Sequence, residues 1–423
     1  MLNKRIYPLM LMILVLASFF RMQAVVLGIS CLVIAIPMKK HFAALKVVRL
    51  FAVLLIPAVL GFINGYKNNN YLILKDMYYF TVPVMLILSG IILACRLDIK
   101  YFLKTLVFTG VITSVVVTGI SIDYMGPRAL LDPYAAHYAV GIVGAPGPPL
   151  ALACLLLTYK FHIRLFTPFW FRLLTGVNAF GMYMFASRTY ALILLCFLFL
   201  LVADRVKKVW IFPAILFLIV AFTFLPVLSF DAGASESFVG KTLHSFSELT
   251  IGDYNTDEDI NTRYRGYEAF MALRGYLEGS TQDQVFGEMG KLINLRTFVR
   301  LGQDTDFQYI PVLHNGWLYI LVKTGALGVI CYLSLFFGIV LMNWRIYANR
   351  AAKPIVRLFA ALTIGCILSL MITNYIVTAF FNMEMSILMI TLGYSYLNFH
   401  SLLYKIRVAR KAITYEYADM QPA

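Results

Sequence analysis

The sequence predicts an all-α integral membrane protein with about twelve transmembrane helices and one large loop between the ninth and tenth of them. Composition is the first observation behind this prediction. Hydrophobic residues make up 61% of the 423 residues, charged residues only 13%, and the mean hydropathy is +0.79. A soluble domain usually carries about 25% charged residues. The chain therefore has the composition of a membrane protein.

The apolar residues come in blocks of roughly 15 to 25, the length at which a helix crosses about 30 Å of hydrocarbon. These blocks show no period-two alternation, which disfavours a membrane β-barrel. The first block follows Lys4 and Arg5 but has no small-residue cleavage site after it, so we expect it to be retained as a helix. In chain order, spans are predicted near residues 7–21, 23–38, 50–64, 77–95, 105–122, 148–159, 173–187, 189–203, 209–230, 316–344, 356–380 and 383–401.

These spans divide the chain into four segments. Residues 1–230 hold the first nine spans, residues 231–314 form the large loop, residues 315–401 hold the last three spans, and residues 402–423 form a cytoplasmic tail. Nearly every other connection is short. The predicted organisation is therefore a helical bundle with one long insertion.

The distribution of charge predicts the orientation of the bundle. With the N-terminus in the cytoplasm, 23 of the 36 Lys and Arg residues fall in cytoplasmic segments, whereas 17 of the 21 Asp and Glu residues fall on the other side. This follows the positive-inside rule and places both termini in the cytoplasm. The basic residues are scattered over short segments and form no single patch, so the net charge of +15 does not indicate nucleic-acid binding. The expected surrounding is a lipid bilayer.

The large loop is where function is expected, because long structured insertions often carry it. Its segment 262–280, TRYRGYEAFMALRGYLEGS, is predicted to form an amphipathic helix at the membrane surface. Helical spacing puts four residues on one face: Arg263, Tyr267, Phe270 and Arg274. A helix N-terminus with two guanidinium groups, Arg263 and Arg265, suits a bound diphosphate. The simpler alternative is an interfacial helix with snorkelling arginines.

Three other positions carry polar chemistry next to apolar blocks. Arg188 lies between two such blocks with almost no loop, so it either snorkels to the interface or points into a polar cavity. His314 begins the tenth span, where an imidazole can serve as a base or simply as a capping residue. Arg128 precedes a Gly/Pro cluster from Gly141 to Pro149, which forms either a re-entrant wall of a site or a turn.

Taken together, these features resemble the O-antigen ligase and Wzy-type polymerase superfamily. The resemblance covers most of the topology, but its specific motif is short. Its residues are Arg188 in a short outer turn, Arg263 at the start of a loop helix, and His314-Asn315 leading into Thr324-Gly325-Ala326-Leu327-Gly328. The stretch Phe286-Gly287 with Gly290 is similar to a glycine-containing segment of that superfamily, although this chain reads GEMG there.

The resemblance implies a GT-C-like glycosyltransferase in the bacterial cytoplasmic (inner) membrane, with its active site on the periplasmic face. Such an enzyme takes an undecaprenyl-diphosphate-linked oligosaccharide and transfers the glycan to an acceptor glycan or to lipid A-core. A ligase uses lipid A-core, whereas a polymerase uses another lipid-linked repeat. The acidic, aromatic-rich loop shows no extra basic surface for a phosphorylated core, which favours the polymerase.

The resemblance also implies residue roles. Arg188 and Arg263 would bind the diphosphate leaving group, with Arg265 as a weaker candidate, and His314 would act as general base and give inversion at the anomeric carbon. Further candidates for the substrate cavity are Arg128 and Asn315. Fixed cations can stabilise a diphosphate, so no metal and no cofactor is expected.

Two functions from other classes compete with this one. A transporter or flippase would also have about twelve spans, but such folds often show two similar halves and charges at the membrane midplane. No internal repeat is evident, and the charged residues cluster at span ends and in the loop. The second competing function is a structural scaffold, which predicts that His314 is dispensable.

Overall fold

The computed structural model describes residues 6–36, 42–140, 144–203, 260, 264–300 and 306–419. This part of the chain forms fifteen α-helices and one two-stranded antiparallel sheet. The predicted ninth span at 209–230, Arg263 and the start of the Gly/Pro cluster lie outside the described residues. The mainly helical architecture agrees with the predicted fold class.

In the described part of the chain, ten α-helices lie before residue 204. They are α1 Ile6–Phe19, α2 Gln23–Ala35, α3 Phe42–Ala52, α4 Leu55–Asn64, α5 Asn70–Ala94, α6 Ile99–Met125, α7 Pro133–Val140, α8 Gly147–Lys160, α9 Pro168–Phe185 and α10 Arg188–Val202. A 3₁₀ turn, Gly126–Leu130, follows α6. The other described elements are α11 Tyr264–Leu277, α12 Thr281–Phe286, β1 Ile293–Arg300, β2 Asp306–Ile310, α13 Gly316–Tyr347, α14 Pro354–Val377, the 3₁₀ turns Ala379–Phe381 and Met383–Met385, and α15 Ser386–Asp419.

Several of these helices have the length and composition of membrane spans. Among the described residues, five stretches are long and apolar enough to cross a bilayer: Ala43–Asn64, Asn70–Ala94, Ile99–Leu130, Gly316–Tyr347 and Pro354–Val377. Three shorter helices, α1, α2 and α10, are also apolar. The chain is therefore an all-α membrane protein, as predicted, while the count of twelve spans stays a prediction.

Local sequence explains where the helices begin. Asn69 caps α5 by accepting hydrogen bonds from the backbone N–H groups of Tyr71 and Leu72. Pro168 and Pro354 occupy the first positions of α9 and α14, where a missing N–H costs no helical hydrogen bond. Ser280 and Asp283 form a reciprocal capping box at α12.

Side-chain contacts define two ends of the bundle. At one end, Ser18 of α1 donates to the carbonyl of Met383 (2.6 Å), and Ser386 donates to Ser18. At the same end, Thr378 donates to the carbonyls of Leu313 and His314, at 2.6 Å in both cases. We call this the loop end, because α11 to β2 connect there to α13.

The opposite end gathers basic side chains. The ammonium of Lys160 donates to the carbonyls of Leu200 and Leu201 (2.9 Å each), so the last turns of α8 and α10 meet there. Tyr347 also donates to Leu200, and Arg357 donates to the carbonyl of Tyr347 (2.9 Å). This is the end that the charge distribution assigns to the cytoplasm, an assignment that stays a prediction.

Close helix packing at the centre depends on small residues. A Cβ at Gly90 of α5 would lie 2.0 Å from the carbonyl oxygen of Ile390, and a Cβ at Gly393 of α15 would lie 2.0 Å from that of Ile87. The two backbones therefore approach as closely as small residues permit in membrane helix pairs. The aromatic rings of Phe102 and Tyr394 stack nearby, with centroids 3.5 Å apart.

Two features of the fold go beyond the sequence predictions. The loop contains a β-hairpin, in which Ile293 pairs with Ile310 and Arg300 with Asp306, and no strand is predicted there. The last helix continues from Ser386 to Asp419, so most of the predicted tail is helical. The predicted third span, 50–64, corresponds to α4 and the end of α3.

We expect Gly90→Ala to destabilise the protein by about 1–3 kcal/mol, because the added methyl group overpacks the contact with α15. Thermal unfolding of the purified protein in detergent, followed by tryptophan fluorescence, measures the effect. Gly338→Ala in α13 is the control, because its Cβ would meet nothing within 4 Å. Equal unfolding midpoints for the two variants would contradict the close α5–α15 packing.

Candidate functional site

The candidate site is built on the first turn of α13 at the loop end. Asn315 is the N-cap, and its side-chain oxygen accepts hydrogen bonds from the backbone N–H groups of Trp317 (3.0 Å) and Leu318 (3.2 Å). This identifies Asn315, and not His314, as the capping residue. The imidazole of His314 is thus free of that task, and its side chain is 51% exposed.

A carboxylate from the loop holds His314. Glu268 of α11 is 2% exposed, and its Oε2 lies 2.6 Å from Nδ1 of His314. Its Oε1 accepts the backbone N–H of the same histidine at 2.5 Å. When the carboxylate is ionised it can only accept, so in the neutral imidazole the hydrogen is on Nδ1 and Nε2 has the lone pair. The Glu268–His314 dyad therefore presents a nitrogen that can take up a proton.

Neighbouring groups fix the dyad further. The ring of Tyr264 meets the His314 imidazole edge to face, with centroids 5.9 Å apart. Burial raises the pKa of the Tyr264 hydroxyl, and the charge of Glu268 acts in the same direction, so this tyrosine stays neutral. Thr378 binds the backbone carbonyl of His314 from α14. The imidazole is thus held by contacts on its ring and on its backbone.

Helix α11 lies within the segment 262–280 where the loop helix is predicted, but a different face is buried; its position at the membrane surface stays a prediction. Its buried residues are Tyr264, Gly266, Tyr267, Glu268, Met271 and Ala272. Arg274, predicted to share a face with Tyr267, is exposed and pairs with Glu278 at 2.9 Å. Tyr267 donates a hydrogen bond to the carbonyl of Leu295 in β1, which ties the buried face of α11 to the hairpin. The orientation of α11 is therefore set by the face that packs on the hairpin and α13, and not by the predicted face with Arg263 and Arg274.

A buried ionic cluster lies further along α13, inside the bundle. Lys323 of α13 and Asp76 of α5 are 2% and 1% exposed, with Nζ and Oδ2 2.8 Å apart. The hydroxyl of Tyr319 donates to the other carboxylate oxygen of Asp76 at 2.5 Å. We call these three residues the Asp76 cluster. Every side-chain oxygen of Asp76 has a partner, which a buried charge requires.

The Asp76 cluster also binds backbone of the loop. The N–H of Gly290 donates to Asp76 at 2.7 Å, and Lys323 donates to the carbonyl of Lys291 at 2.5 Å. The segment before β1 is therefore tied to α5 and α13 together. Since β1 in turn holds Tyr267 of α11, the cluster connects the half of the dyad on the loop to the half on α13.

Two glycines let this segment enter the bundle. Gly325 interrupts α13 at φ 66°, and Gly287 lies opposite it at φ 73°. A Cβ at Gly325 would lie 2.2 Å from the carbonyl oxygen of Val285, and one at Gly287 would lie 2.2 Å from the backbone nitrogen of Thr324. The TGxxG-like and GEMG stretches thus pack against each other, which explains their glycines in this chain by backbone contact.

The arginines predicted from sequence are only partly placed by the structure. Arg188 is the first residue of α10, and Phe185 ends α9, so the predicted short turn is confirmed. This turn lies at the loop end, the same end as His314. Arg265 is half-buried in the first turn of α11. Arg128 is exposed in the 3₁₀ turn after α6, and Arg263 lies outside the described residues.

The sequence reasoning missed Glu268 as a site residue. Its signal was present, since an acidic residue within an otherwise apolar and basic helix needs a partner when buried. The partner is forty-six positions away and is brought close by the hairpin. Spacing along α11 does not reveal that distance.

Among the described residues, no group of three or more His, Cys, Asp or Glu side chains is arranged to hold a metal ion. The prediction of a site without a metal or cofactor stays a prediction. Comparison with known proteins assigns no family: no protein-family model and no curated protein matches the chain.

We expect the Asp76 cluster to be strongly coupled. Lys323→Met should destabilise the protein by about 3–5 kcal/mol, because it leaves a buried carboxylate without its cation. The double variant Asp76→Asn with Lys323→Met should lose less than the sum of the two single variants, because it removes both charges. A double-mutant cycle of detergent unfolding measures the coupling. Additive effects would show that the two side chains do not interact in the folded protein.

Proposed function

We propose that this chain is a membrane glycosyltransferase. It transfers a glycan from undecaprenyl diphosphate to the hydroxyl of an acceptor sugar, as a surface-polysaccharide polymerase of the O-antigen or exopolysaccharide type. The observation that carries the proposal is the Glu268–His314 dyad, a half-exposed imidazole oriented by a buried carboxylate. The proposal includes the twelve spans, the GT-C-like arrangement, the inner-membrane location and the periplasmic position of the site.

The dyad supplies the base. Nε2 of His314 removes the proton from the acceptor hydroxyl as its oxygen attacks the anomeric carbon of the donor sugar. Glu268, already bonded to Nδ1, stabilises the imidazolium that forms and keeps the ring in one orientation. Attack from the face opposite the diphosphate inverts the anomeric configuration. The acceptor proton leaves on His314 and passes to solvent.

Cations at the loop end receive the leaving group. As the bond between the anomeric carbon and the diphosphate oxygen breaks, negative charge grows on that oxygen, and fixed guanidinium groups lower the energy of this state. Arg188 is the described candidate, Arg265 is a second, and Arg263 remains in the proposal from the sequence resemblance. Fixed cations can perform this task without a metal.

The ion pairs within the loop favour a polymerase over a ligase. In the described part of the loop, Arg274 and Arg296 both pair with Glu278, at 2.9 Å and 2.5 Å. These guanidinium groups are occupied within the loop, where a phosphorylated lipid A-core would need open basic groups. A ligase is the alternative proposal. A transporter or flippase is less favoured, because a carboxylate-oriented imidazole is a feature of proton transfer in catalysis.

We expect His314→Asn to reduce glycan transfer by a factor of about 10²–10⁴, because general-base catalysis contributes that much. Asparagine keeps a donor for Glu268 but cannot take up a proton. Purified protein with a lipid-linked oligosaccharide, assayed for release of undecaprenyl diphosphate, gives the rate. His162→Asn, an exposed histidine between α8 and α9, is the control. Full activity of His314→Asn would refute the base.

We expect Glu268→Gln to retain part of the activity lost in His314→Asn, because the imidazole remains but loses its stabilising charge. Transfer rate and expression level are measured together in the membrane fraction. A variant that is well inserted and fully active would mean that Glu268 has only a structural role.

The acceptor is identified in cells from the surface-glycan ladder of the His314→Asn strain. A polymerase defect leaves single repeats on lipid A-core, whereas a ligase defect leaves polymer on the undecaprenyl carrier. We expect the first pattern. The second pattern would replace the polymerase by the ligase and keep the chemistry of the site.

A further inference from the structure

A groove of about 730 Å³ runs between α6 and α9 on the side of the bundle. Its walls are formed by α6 from Ser114 to Ile122 and by α9 from Arg172 to Phe180. The volume falls in the range of roughly 300–1,000 Å³ that is usual for ligand sites. Helix α6 lies in the apolar stretch Ile99–Leu130, which is long enough to cross a bilayer. A groove in this stretch is exposed to the hydrocarbon of the membrane.

Glycines on both helices leave this groove open. The two helices touch at Gly181, where a Cβ would overlap the side chain of Ser114. At Gly119 of α6 and Gly176 of α9, which both line the groove, a Cβ would meet nothing within 4 Å. A larger side chain at either glycine would occupy the space between the helices. The two glycines therefore leave room for a flexible chain.

The walls of the groove offer an apolar surface to such a chain. Val115 and Phe180 are exposed large hydrophobic residues that line it. The hydroxyl of Ser114 donates to the carbonyl of Gly110 (2.7 Å), and that of Thr118 donates to the carbonyl of Ser114 (2.8 Å). Because α6 itself satisfies these hydroxyls, they need no partner from a ligand. A hydrocarbon chain suits this surface.

One charged residue lines the groove. Arg172 lies in the second turn of α9 and is exposed. In the described part of the chain, no carboxylate pairs with its guanidinium. The exposed rings of Phe169 and Trp170 lie just before it, and such aromatic residues are typical of the boundary between hydrocarbon and head groups. Arg172 therefore lies at the depth of lipid head groups.

This boundary is at the basic end of the bundle, opposite the loop end. Helix α9 ends at the turn before Arg188, which lies at the loop end with His314, so α9 begins at the other end. A ligand with its anionic group on Arg172 would have that group far from the dyad. The groove therefore does not fit a donor whose diphosphate reacts beside His314.

We propose that the α6–α9 groove binds one anionic phospholipid from the leaflet at the basic end. An acyl chain lies along Gly119 and Gly176, and the phosphate binds Arg172. The guanidinium offers parallel N–H donors to two phosphate oxygens, and its charge favours a lipid with net negative charge over a zwitterionic one. This inference goes beyond the proposed function and does not depend on it.

The head-group contact is tested by native mass spectrometry of the delipidated full chain in detergent, with phosphatidylglycerol titrated in. The measurement gives the Kd of the first lipid bound. We expect Arg172→Gln to raise this Kd about fivefold to twentyfold, as for the loss of one charged hydrogen bond. Arg172→Lys should give an intermediate value, because it keeps the charge and loses the planar donors. The matched control is Arg345→Gln, an exposed arginine in the last turn of α13 at the same end, which should bind like the wild type.

The chain contact is tested by filling the groove. We expect Gly176→Leu to raise the Kd of phosphatidylglycerol about tenfold, because the leucine side chain takes the place of the acyl chain. Leucine also has the higher helix propensity, so α9 itself is not weakened. Gly338→Leu in α13 is the control, because a Cβ there also meets nothing within 4 Å but lies outside the groove. It should bind phosphatidylglycerol like the wild type.

Unfolding midpoints of the lipid-free variants separate binding from folding. Weaker lipid binding by Arg172→Gln and Gly176→Leu at unchanged midpoints, with both controls like the wild type, supports the site. If Arg172→Gln binds phosphatidylglycerol as tightly as Arg345→Gln does, the inference is overturned. If Gly176→Leu does not fold, the comparison of Arg172→Gln with Arg345→Gln decides alone.

Other occupants of the groove give different results with the wild type. An equal Kd for phosphatidylcholine would overturn the anionic head group. Displacement of phosphatidylglycerol by geranylgeranyl diphosphate, lost in Gly176→Leu, would assign the groove to a prenyl carrier and overturn the phospholipid. A dimer that Gly176→Leu abolishes and phosphatidylglycerol does not dissociate would assign it to a second copy of the chain, with the same consequence.

Discussion

The ion pair between Asp76 and Lys323 is the interaction on which the candidate site depends. Both side chains are almost fully buried, so each charge needs the other, together with Tyr319 and two backbone groups, to remain inside the bundle. The groups that satisfy it come from α5, α13 and the segment before β1. Satisfying the charges therefore fixes three separate parts of the chain at one point.

That point connects the elements that carry the two halves of the dyad. His314 precedes α13, whereas Glu268 belongs to a loop helix that β1 holds through Tyr267. A separation of 2.6 Å between a loop carboxylate and an imidazole requires both supports to be rigid. The Asp76 cluster secures one support directly and the other through Gly290 and Lys291. The buried polar groups of the Asp76 cluster therefore help to hold the exposed His314 in position.

Much of the architecture follows from the sequence, because hydrophobic length and basic residues are local signals. The turn at Arg188 and the start of α13 at His314-Asn315 both lie where apolar blocks begin or end, and the loop helix follows from its spacing of apolar and aromatic residues. The hydrogen-bond partner of His314, in contrast, could not be predicted from local signals. Glu268 and His314 meet because a hairpin folds back between them. Its first strand alternates apolar and polar residues only from Ile293 to Arg296, a run too short to predict the hairpin.

The same limit applies to Arg21 and to the glycines. Arg21 lies beside an apolar block and resembles an ordinary interfacial arginine until Glu384, more than three hundred positions later, is brought next to it. Gly287 and Gly325 belong to separate short motifs in the sequence. Both glycines are needed where two backbone segments contact each other, and such a tertiary contact cannot be predicted from a local pattern.

The interruption at Gly325 has a consequence for how the protein responds to its surroundings. It divides α13 into a stub of under three turns below His314 and a longer rod that reaches the basic end. Lateral stress or a change in bilayer thickness acts mainly on the tilt of the long rod. We expect the bend at Gly325 to keep such a change of tilt from reaching His314, because the two parts of α13 are not one continuous helix.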